Sequence, residues 1–569
     1  MPGNGLAGET SFDLIDASWL GCVFVTGTAG LLSLRMTLHQ AHLIRELDLD
    51  APTQVPPILR LLLAVLHQAL DGPWQDTQWE DWYRLGRFPE QQIDDYLEDP
   101  DIAGRFGLFD PVAPFLQAAG LHPANGKTKT AALLIPHIAS GHNVPLFSAD
   151  RDTAPAPLSP AEAARWLLHA HAWDTAAIKT GAAGDPRAKA GKTTGNPTGP
   201  LGRLGVLIPC GPTLWHTLIF NLLSLAEQDL SPEGDKPAWE REPLSAAWDP
   251  RPAAGLLDLY TWPSRRIRLI PERHEDQIVV RNVVLCAGDR LEQNSVTRFE
   301  PHTAFRRNAE QEKKQGIEPV YLPWTHRPDR RLWRGLGTIL ARERSTATVG
   351  AAADAPQQRR AYVLEQLGND SRGDVLQDVV VRLRGFGITY GNQSAVVEDV
   401  YTDELPLPVA LLRVQGGPWE RAALDAVAAA DRAATCLAGL AADISRAAGC
   451  TDDKLLRACA VRARTRLYAH LDVEFPHWIT QLPRQAPAEA LAQWYAEVRR
   501  RARQIADDLI AAAPLSAITG RKVKPPGGQE NQRTWLNAAL AEARFLGGIS
   551  KALAIGVPGP GTDQEGRAA

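Results

Sequence analysis

The chain has 569 residues, 44% hydrophobic and 22% charged, with a net charge of −5 from 61 basic and 66 acidic side chains. That length exceeds what one hydrophobic core organises, so two or more domains are expected, and the balance of apolar and charged residues is that of a soluble globular protein. A slightly acidic chain is no histone-like polycation, so any contact with nucleic acid must come from local basic patches or be shared with partners. The cysteines (Cys22, Cys210, Cys286, Cys436, Cys450 and Cys459) are scattered without a C-x-x-C pair. This argues against a zinc ribbon or a disulfide scaffold and fits a reducing, cytoplasmic setting. No basic region followed by an apolar core opens the chain, so no signal peptide is read. The apolar run 57–70 contains Arg60 and is short for a membrane span.

In chain order, Ser11-Phe12-Asp13-Leu14-Ile15-Asp16 reads as a first strand and turn. Residues 33–47 carry apolar side chains at helical spacing with Ser33 as N-cap, and a buried helix follows at 57–70. The aromatic clusters Trp74, Trp79, Trp82, Tyr83 and Phe106, Phe109, Phe115 read as core rather than as stacking platforms. Residues 124–158 form a long irregular connection that includes Gly141, His142 and Asn143. A helix resumes at Ser159, the cap, with Pro160 at its first position and Glu162 complementing the dipole, and runs to Trp173.

Residues 176–205 combine glycines with Lys179, Arg187, Lys189, Lys192 and Arg203 against a single acid, Asp185. Ala190-Gly191-Lys192-Thr193 imitates the end of a phosphate-binding P-loop. The imitation fails because Pro186 stands where the first glycine belongs and a helix, not a strand, precedes it. Two readings stay open: a flexible solvated loop, or glycines and unpaired lysines suited to close approach of phosphates. A stand-alone nucleotide-binding enzyme using this stretch is the rival functional class.

Residues 204–209 and 277–286 read as strands, 214–225 as a helix, and 256–268 as a strand bearing Arg265, Arg266 and Arg268. Arg290 closes a turn at 287–290. At 384–400, β-branched and aromatic residues flank Gly391-Asn392, which signals a hairpin with a two-residue turn and leaves Gln393, with donors and an acceptor, at a stiff tip. Taken locally this is an ordinary surface hairpin. Breaks at 403–408 and 416–418 separate a mixed α/β N-terminal domain, 1–408, from residues 409–556. There, alanine-rich amphipathic segments at 419–448, 453–471, 487–513 and 532–554 read as a four-helix bundle, giving an α+β chain with a disordered tail at 557–569. Arg462 and Arg466 share one helix face, as do Arg499 and Arg503, and Arg521-Lys522-Val523-Lys524 lie in the third loop. Either face is solvated or it contacts phosphates.

No catalytic constellation is legible. His169 and His171 face different ways on a helix, and His274-Glu275-Asp276 lacks a second ligand cluster. Neither G-x-S-x-G nor H-E-x-x-H occurs.

Across nearly its whole length the chain resembles the large subunit of the type I-E CRISPR Cascade complex. The resemblance is carried, in order, by Phe12-Asp13-Leu14-Ile15, Pro52-Thr53-Gln54, Phe109-Asp110-Pro111, Ile178-Lys179-Thr180-Gly181, Gly195-Asn196-Pro197-Thr198-Gly199-Pro200, Leu259-Tyr260-Thr261-Trp262-Pro263-Ser264-Arg265-Arg266, and Glu300-Pro301-His302-Thr303-Ala304. It implies a non-enzymatic, cofactor-free DNA-recognition subunit of a crRNA-guided antiviral complex. The implied partners are double-stranded target DNA, the crRNA-bearing backbone, small and 5′-handle-binding subunits, and an effector helicase–nuclease. It further implies that Gly141, His142 and Asn143 reach the RNA and DNA region of the complex. Three features then meet the protospacer-adjacent motif from the minor groove: a glycine loop at 176–184 acting through Lys179 or Gly181, a basic finger at Arg290, and a wedge at Asn392-Gln393. Arginines of the bundle are implied to contact the displaced or target strand.

Overall fold

The computed structural model describes residues 11–138, 157–226, 229–341, 357–413, 416–524 and 533–554. Gly141, His142 and Asn143, and the tail from 557, lie outside them. The chain is α+β and divides into two compact units, one of Met1–Leu405 with Leu412–Val414, the other of Pro406–Leu411 with Gln415–Ala569.

The first unit opens on a three-stranded antiparallel sheet in which Leu20–Phe24 lies between Ala29–Leu32 and Ile44–Leu47. The expected first strand at 11–16 is instead a turn. Asp13 bridges Gly107, and its carboxylate accepts from the Ile15 amide at 2.9 Å. Ser33 does cap a helix, accepting from the Met36 amide, but the helix Leu34–His39 stops early and Ile44–Leu47 is a strand. Pairing with Cys22–Phe24 overrides the apolar spacing that had suggested one continuous helix.

The apolar run becomes the helix Val55–Ala69, buried on nearly every side. Its one charge, Arg60, meets Glu300 at 2.5 Å where both side chains are almost inaccessible, as a buried charge requires. Beside it lies the helix Pro160–Trp173, opened by the full Ser159/Glu162 capping box. This helix is tied down by Trp173 Nε1 on the Thr53 carbonyl and by Arg165 on Asp50, both at 2.8 Å.

The central sheet is built on the antiparallel pair Arg265–His274 and Gln277–Ala287. Gln277–Ala287 also pairs with Lys129–Thr130 and, in parallel, with Lys179–Thr180, which in turn pairs with Lys192–Thr193. The strand expected at 256–268 is two elements: Leu256–Tyr260 is a short helix, and the strand begins at Arg265. A third sheet orders Val397–Pro408, Val380–Tyr390 and Val206–Cys210. Its tip differs from the expected two-residue turn, because residues 391–396 connect the strands through a tight turn at Asn392–Ser394 in which Gln393 and Ser394 are left-handed.

In the second unit the helix Gly417–Ala448, 32 residues long, packs against Asp453–Gln481, Pro487–Ala511 and Ala538–Ala552. Small buried side chains such as Ala426, Ala430 and Ala433 let those helices approach closely. The helix that starts at Asp453 runs past 471 to Gln481 with Pro476 inside it. The third loop is not irregular: Arg521–Val523 pairs with Thr534–Leu536, and the last helix starts only at Ala538, capped by Asn537. No helix among the described residues is long and apolar enough to cross a membrane.

Candidate nucleic-acid interface

Gly391 does not need glycine for its backbone conformation, and the side chains of Glu398 and Val396 crowd its Cα. Its φ is −77°, and an added Cβ would lie 2.4 Å from Glu398 Oε1 and 2.8 Å from Val396 Cγ2. The left-handed residues of the turn are Gln393 (φ 53°) and Ser394 (φ 54°), neither a residue that adopts this backbone cheaply. Such backbone costs on the order of 1–3 kcal/mol per residue and persists only where the surroundings over-determine it. Here the Gly391 amide donates to Val396 O at 3.0 Å, the Ser394 amide to Gly391 O at 2.8 Å, and the Ala176 amide to Ser394 O at 2.8 Å. Just below, the buried Tyr390 hydroxyl donates to the Trp173 carbonyl at 2.6 Å, with Gly202 pressed against it. The consequence is a fixed tip on which Asn392 and Gln393 are both exposed.

The Ala176–Ser394 bond joins this tip to the loop that leaves the 160–173 helix. That loop is shaped from beneath by a charge cluster. Asp174 pairs with Lys179 Nζ at 2.7 Å and with Arg265 Nε at 2.5 Å. Arg265 also donates to the carbonyls of Thr175 at 3.0 Å and Pro197 at 2.8 Å, and is 1% exposed. Burial disfavours the Asp174 carboxylate, but the facing Lys179 and Arg265 cations outweigh it and hold its pKa down at about 2. Burial likewise draws the Lys179 ammonium below its ordinary value, against the pull of Asp174.

Two sequence expectations are corrected here. Lys179 is not an unpaired lysine: it is 7% exposed and its ammonium faces Asp174. Gly181 does not present free backbone. Its amide donates to Gly191 O, its carbonyl accepts from the Ala124 amide, both at 2.8 Å, and a Cβ there would sit 2.7 Å from Ala188 Cβ. Both residues build the loop rather than its outer surface. The crest is residues 175–178, where Ile178 stands 63% exposed. The sequence marks Arg265 only as one of three strand arginines and Ile178 only within a family segment, and gives neither a role in this groove. The available signals were an apolar residue inside a glycine–lysine loop and an arginine pair opening a buried strand.

Arg290 lies at the start of the two-residue strand Arg290–Leu291, paired with Pro250–Arg251. Its guanidinium sits 4.3 Å above the Trp248 ring, donates from Nη2 to Thr194 O at 2.8 Å, and faces no carboxylate among the described residues. Burial, then the neighbouring Arg187 and Arg265 charges, lower its pKa, and its buried Nε has no hydrogen-bond partner among the described residues. Thr194, Gln393, Ile178, Lys179 and Lys192 all line one open groove of about 950 Å³. Gln393, the crest loop and, through Thr194, the Arg290 finger are thus brought together from distant parts of the sequence.

Lys192 and His169 also line this groove, but neither brings phosphate-loop or metal-site geometry to it. Lys192–Thr193 is a short strand after a turn with Ala190 (φ 48°) and Gly191 (φ 70°), and Thr193 is buried, which is not the strand–loop–helix of a P-loop. His169 Nε2 lies 3.0 Å from Thr53 Oγ1, whereas His171 Nε2 meets the Leu116 carbonyl at 2.9 Å. Among the described residues no group of His, Cys, Asp and Glu is placed to hold a metal ion. In the second unit Arg466 pairs with Asp508 at 2.6 Å and Arg499 donates to the Leu553 carbonyl at 3.1 Å, so these two are not free cations. Arg462 and Arg503 are exposed.

The family model for the CRISPR-associated protein Cse1 matches residues 13–505. A curated relative from Thermus thermophilus, the CRISPR-associated protein CasA/Cse1, is 30% identical over 410 residues, covering 70% of this chain and 72% of its own length. The crystal structure of Thermobifida fusca Cse1 is 37% identical with a TM-score of 0.83, over 96% of this chain and 98% of that one. A chain of a CRISPR RNA-guided surveillance complex shares the fold at 19% identity and a TM-score of 0.64, over 88% of this chain and 98% of that one. With the family model spanning both units, the chain belongs to the CRISPR-associated Cse1 family.

Proposed function

We propose that this chain is the non-enzymatic DNA-recognition subunit of a crRNA-guided surveillance complex in the cytoplasm, reading the protospacer-adjacent motif through the groove around Gln393. The observation that carries this reading is the fixed left-handed tip, bonded to the crest of the 175–178 loop and sharing one groove with it. The minor groove offers N3 and O2 acceptors at either orientation of an A·T pair, so a donor such as Arg290 reads it loosely. The crest backbone, with Ile178 beside it, takes the part that the family pattern gives to the glycine loop. Asn392 and Gln393 enter beside the last motif pair, where opening a step costs about 1.4 kcal/mol of stacking. A glutamine amide meets the freed base edges with both donor and acceptor. The guide RNA of the partner subunits then reads the remaining sequence.

In this reading the second unit is a four-helix bundle whose exposed Arg462 and Arg503 attract a strand. Gly141, His142 and Asn143 contact the RNA and DNA region, and the assembled complex summons a helicase–nuclease. Replacing Arg290 with Ala in the reconstituted complex should weaken binding to motif-bearing duplex about tenfold more than to scrambled duplex. Equal losses on both would reduce Arg290 to phosphate attraction and remove it from motif reading.

A further inference from the structure

The hairpin between the third and fourth long helices of the second unit has two unlike faces. In its register Arg521 lies opposite Leu536, and Lys522 lies opposite Trp535. Leu536 is 1% exposed, and Arg521 donates to the carbonyls of Ala447 and Ala448, both at 3.0 Å, over Gly449 at the end of the Gly417–Ala448 helix. A cation at a helix C-terminus complements its dipole and leftover carbonyls. This face is therefore the anchor.

The opposite face points to solvent. Alternation along a strand puts Lys524 with Lys522, and Arg533 with Trp535. All of these are exposed, Trp535 by 50%, and none of the three cations has a partner among the described residues. Among the described residues no acid occupies this face, although acids outnumber bases in the chain, 66 to 61. A large exposed aromatic ring beside free cations on a paired strand is the arrangement that stacks an unpaired base while holding its flanking phosphates.

We propose that the solvent face of the Arg521–Val523 and Thr534–Leu536 strand pair is a binding site for unpaired nucleotides, with Trp535 as the stacking platform and Lys522, Lys524 and Arg533 as phosphate contacts. The site lies outside the Gln393 groove and does not depend on motif reading. A fluorescein-labelled oligothymidylate, and the matching oligouridylate, would be titrated into the full-length chain by fluorescence anisotropy. Trp535→Ala should weaken binding roughly five- to a hundredfold, while Trp535→Phe, which keeps a ring, stays near the parent. Lys522→Ala with Lys524→Ala should weaken binding and flatten its dependence on salt. The two oligonucleotides separate DNA from RNA as the strand favoured. Gln393→Ala should leave all of these titrations unchanged, so the failure of one site is distinguishable from the failure of the other. Affinity unaffected by Trp535→Ala on both oligonucleotides would overturn the proposal, and would be the result for a patch that meets a protein partner.

Discussion

Arg265 in the first unit and Lys522 in the second carry the same charge in opposite circumstances. Arg265 is 1% exposed and directs its donors to Asp174 and to the carbonyls of Thr175 and Pro197. Lys522 stands in solvent across a hairpin from Trp535. The first kind of cation shapes a surface that other residues present, and its removal is felt as lost structure. The second kind is itself the surface, and in the proposed reading its removal is felt as lost affinity. Arg266, held on Asp289 at 2.6 Å, belongs with the first kind, and Arg503 with the second. A basic residue in a nucleic-acid-binding chain therefore has to be sorted by burial and partner before any contact is assigned to it.

Acid should separate the two units most strongly. Burial holds His67, His171 and His326 of the first unit down at about 4 and His169 at about 3, whereas His470 and His477 of the second unit are exposed. An unfolded histidine gains its proton near pH 6.5. Each buried neutral ring thus contributes stability that is complete above that pH and is lost as pH falls toward its depressed folded value. The loss is on the order of 2 kcal/mol for each at pH 5. Urea unfolding of the full chain, followed at neutral pH and again near pH 5, should show the first unit's transition move to lower urea well ahead of the second's. Transitions that shift together would remove the contrast.

Arg265→Ala is the next largest test. It leaves Asp174 with Lys179 alone and releases the carbonyls of the loop, for a loss of roughly 3–5 kcal/mol, the usual cost of breaking a buried ion pair. The melting transition of the first unit should fall and motif-duplex binding should fall with it. A stable variant that merely binds more weakly would move Arg265 into the class of Lys522.

Much of the frame was legible in the sequence because its signals are local. The Ser159-Pro160-Glu162 start, the buried 55–69 helix and the ordered family segments need only neighbouring residues to be read. What was hidden depends on partners distant in the chain. Arg265 and Asp174 are 91 residues apart, so nothing in either neighbourhood marks Arg265 as the cation that shapes the loop, whereas the Asp174 that pairs with Lys179 lies close to it in the chain. The tip was misread in register because Asn392, the residue suited to left-handed backbone, lies next to Gln393, which adopts it under tertiary restraint. The helix expected at 33–47 was lost to strand pairing at Ile44–Leu47, and the loop at 521–524 became a hairpin through residues beyond it. In each case a long-range hydrogen-bond pattern displaced a local preference.

Duplex opening by a fixed Gln393 tip is tested most directly by permanganate footprinting of motif-bearing duplex in the reconstituted complex, comparing the parent with Gln393→Ala. Because Gln393 is exposed and its conformation is set by the backbone bonds of Gly391, Ser394 and Ala176, the substitution should leave stability and assembly intact. Thymines next to the motif should lose their reactivity in the variant while the complex still forms. Reactivity equal to the parent's would contradict the account and return the tip to an ordinary surface turn.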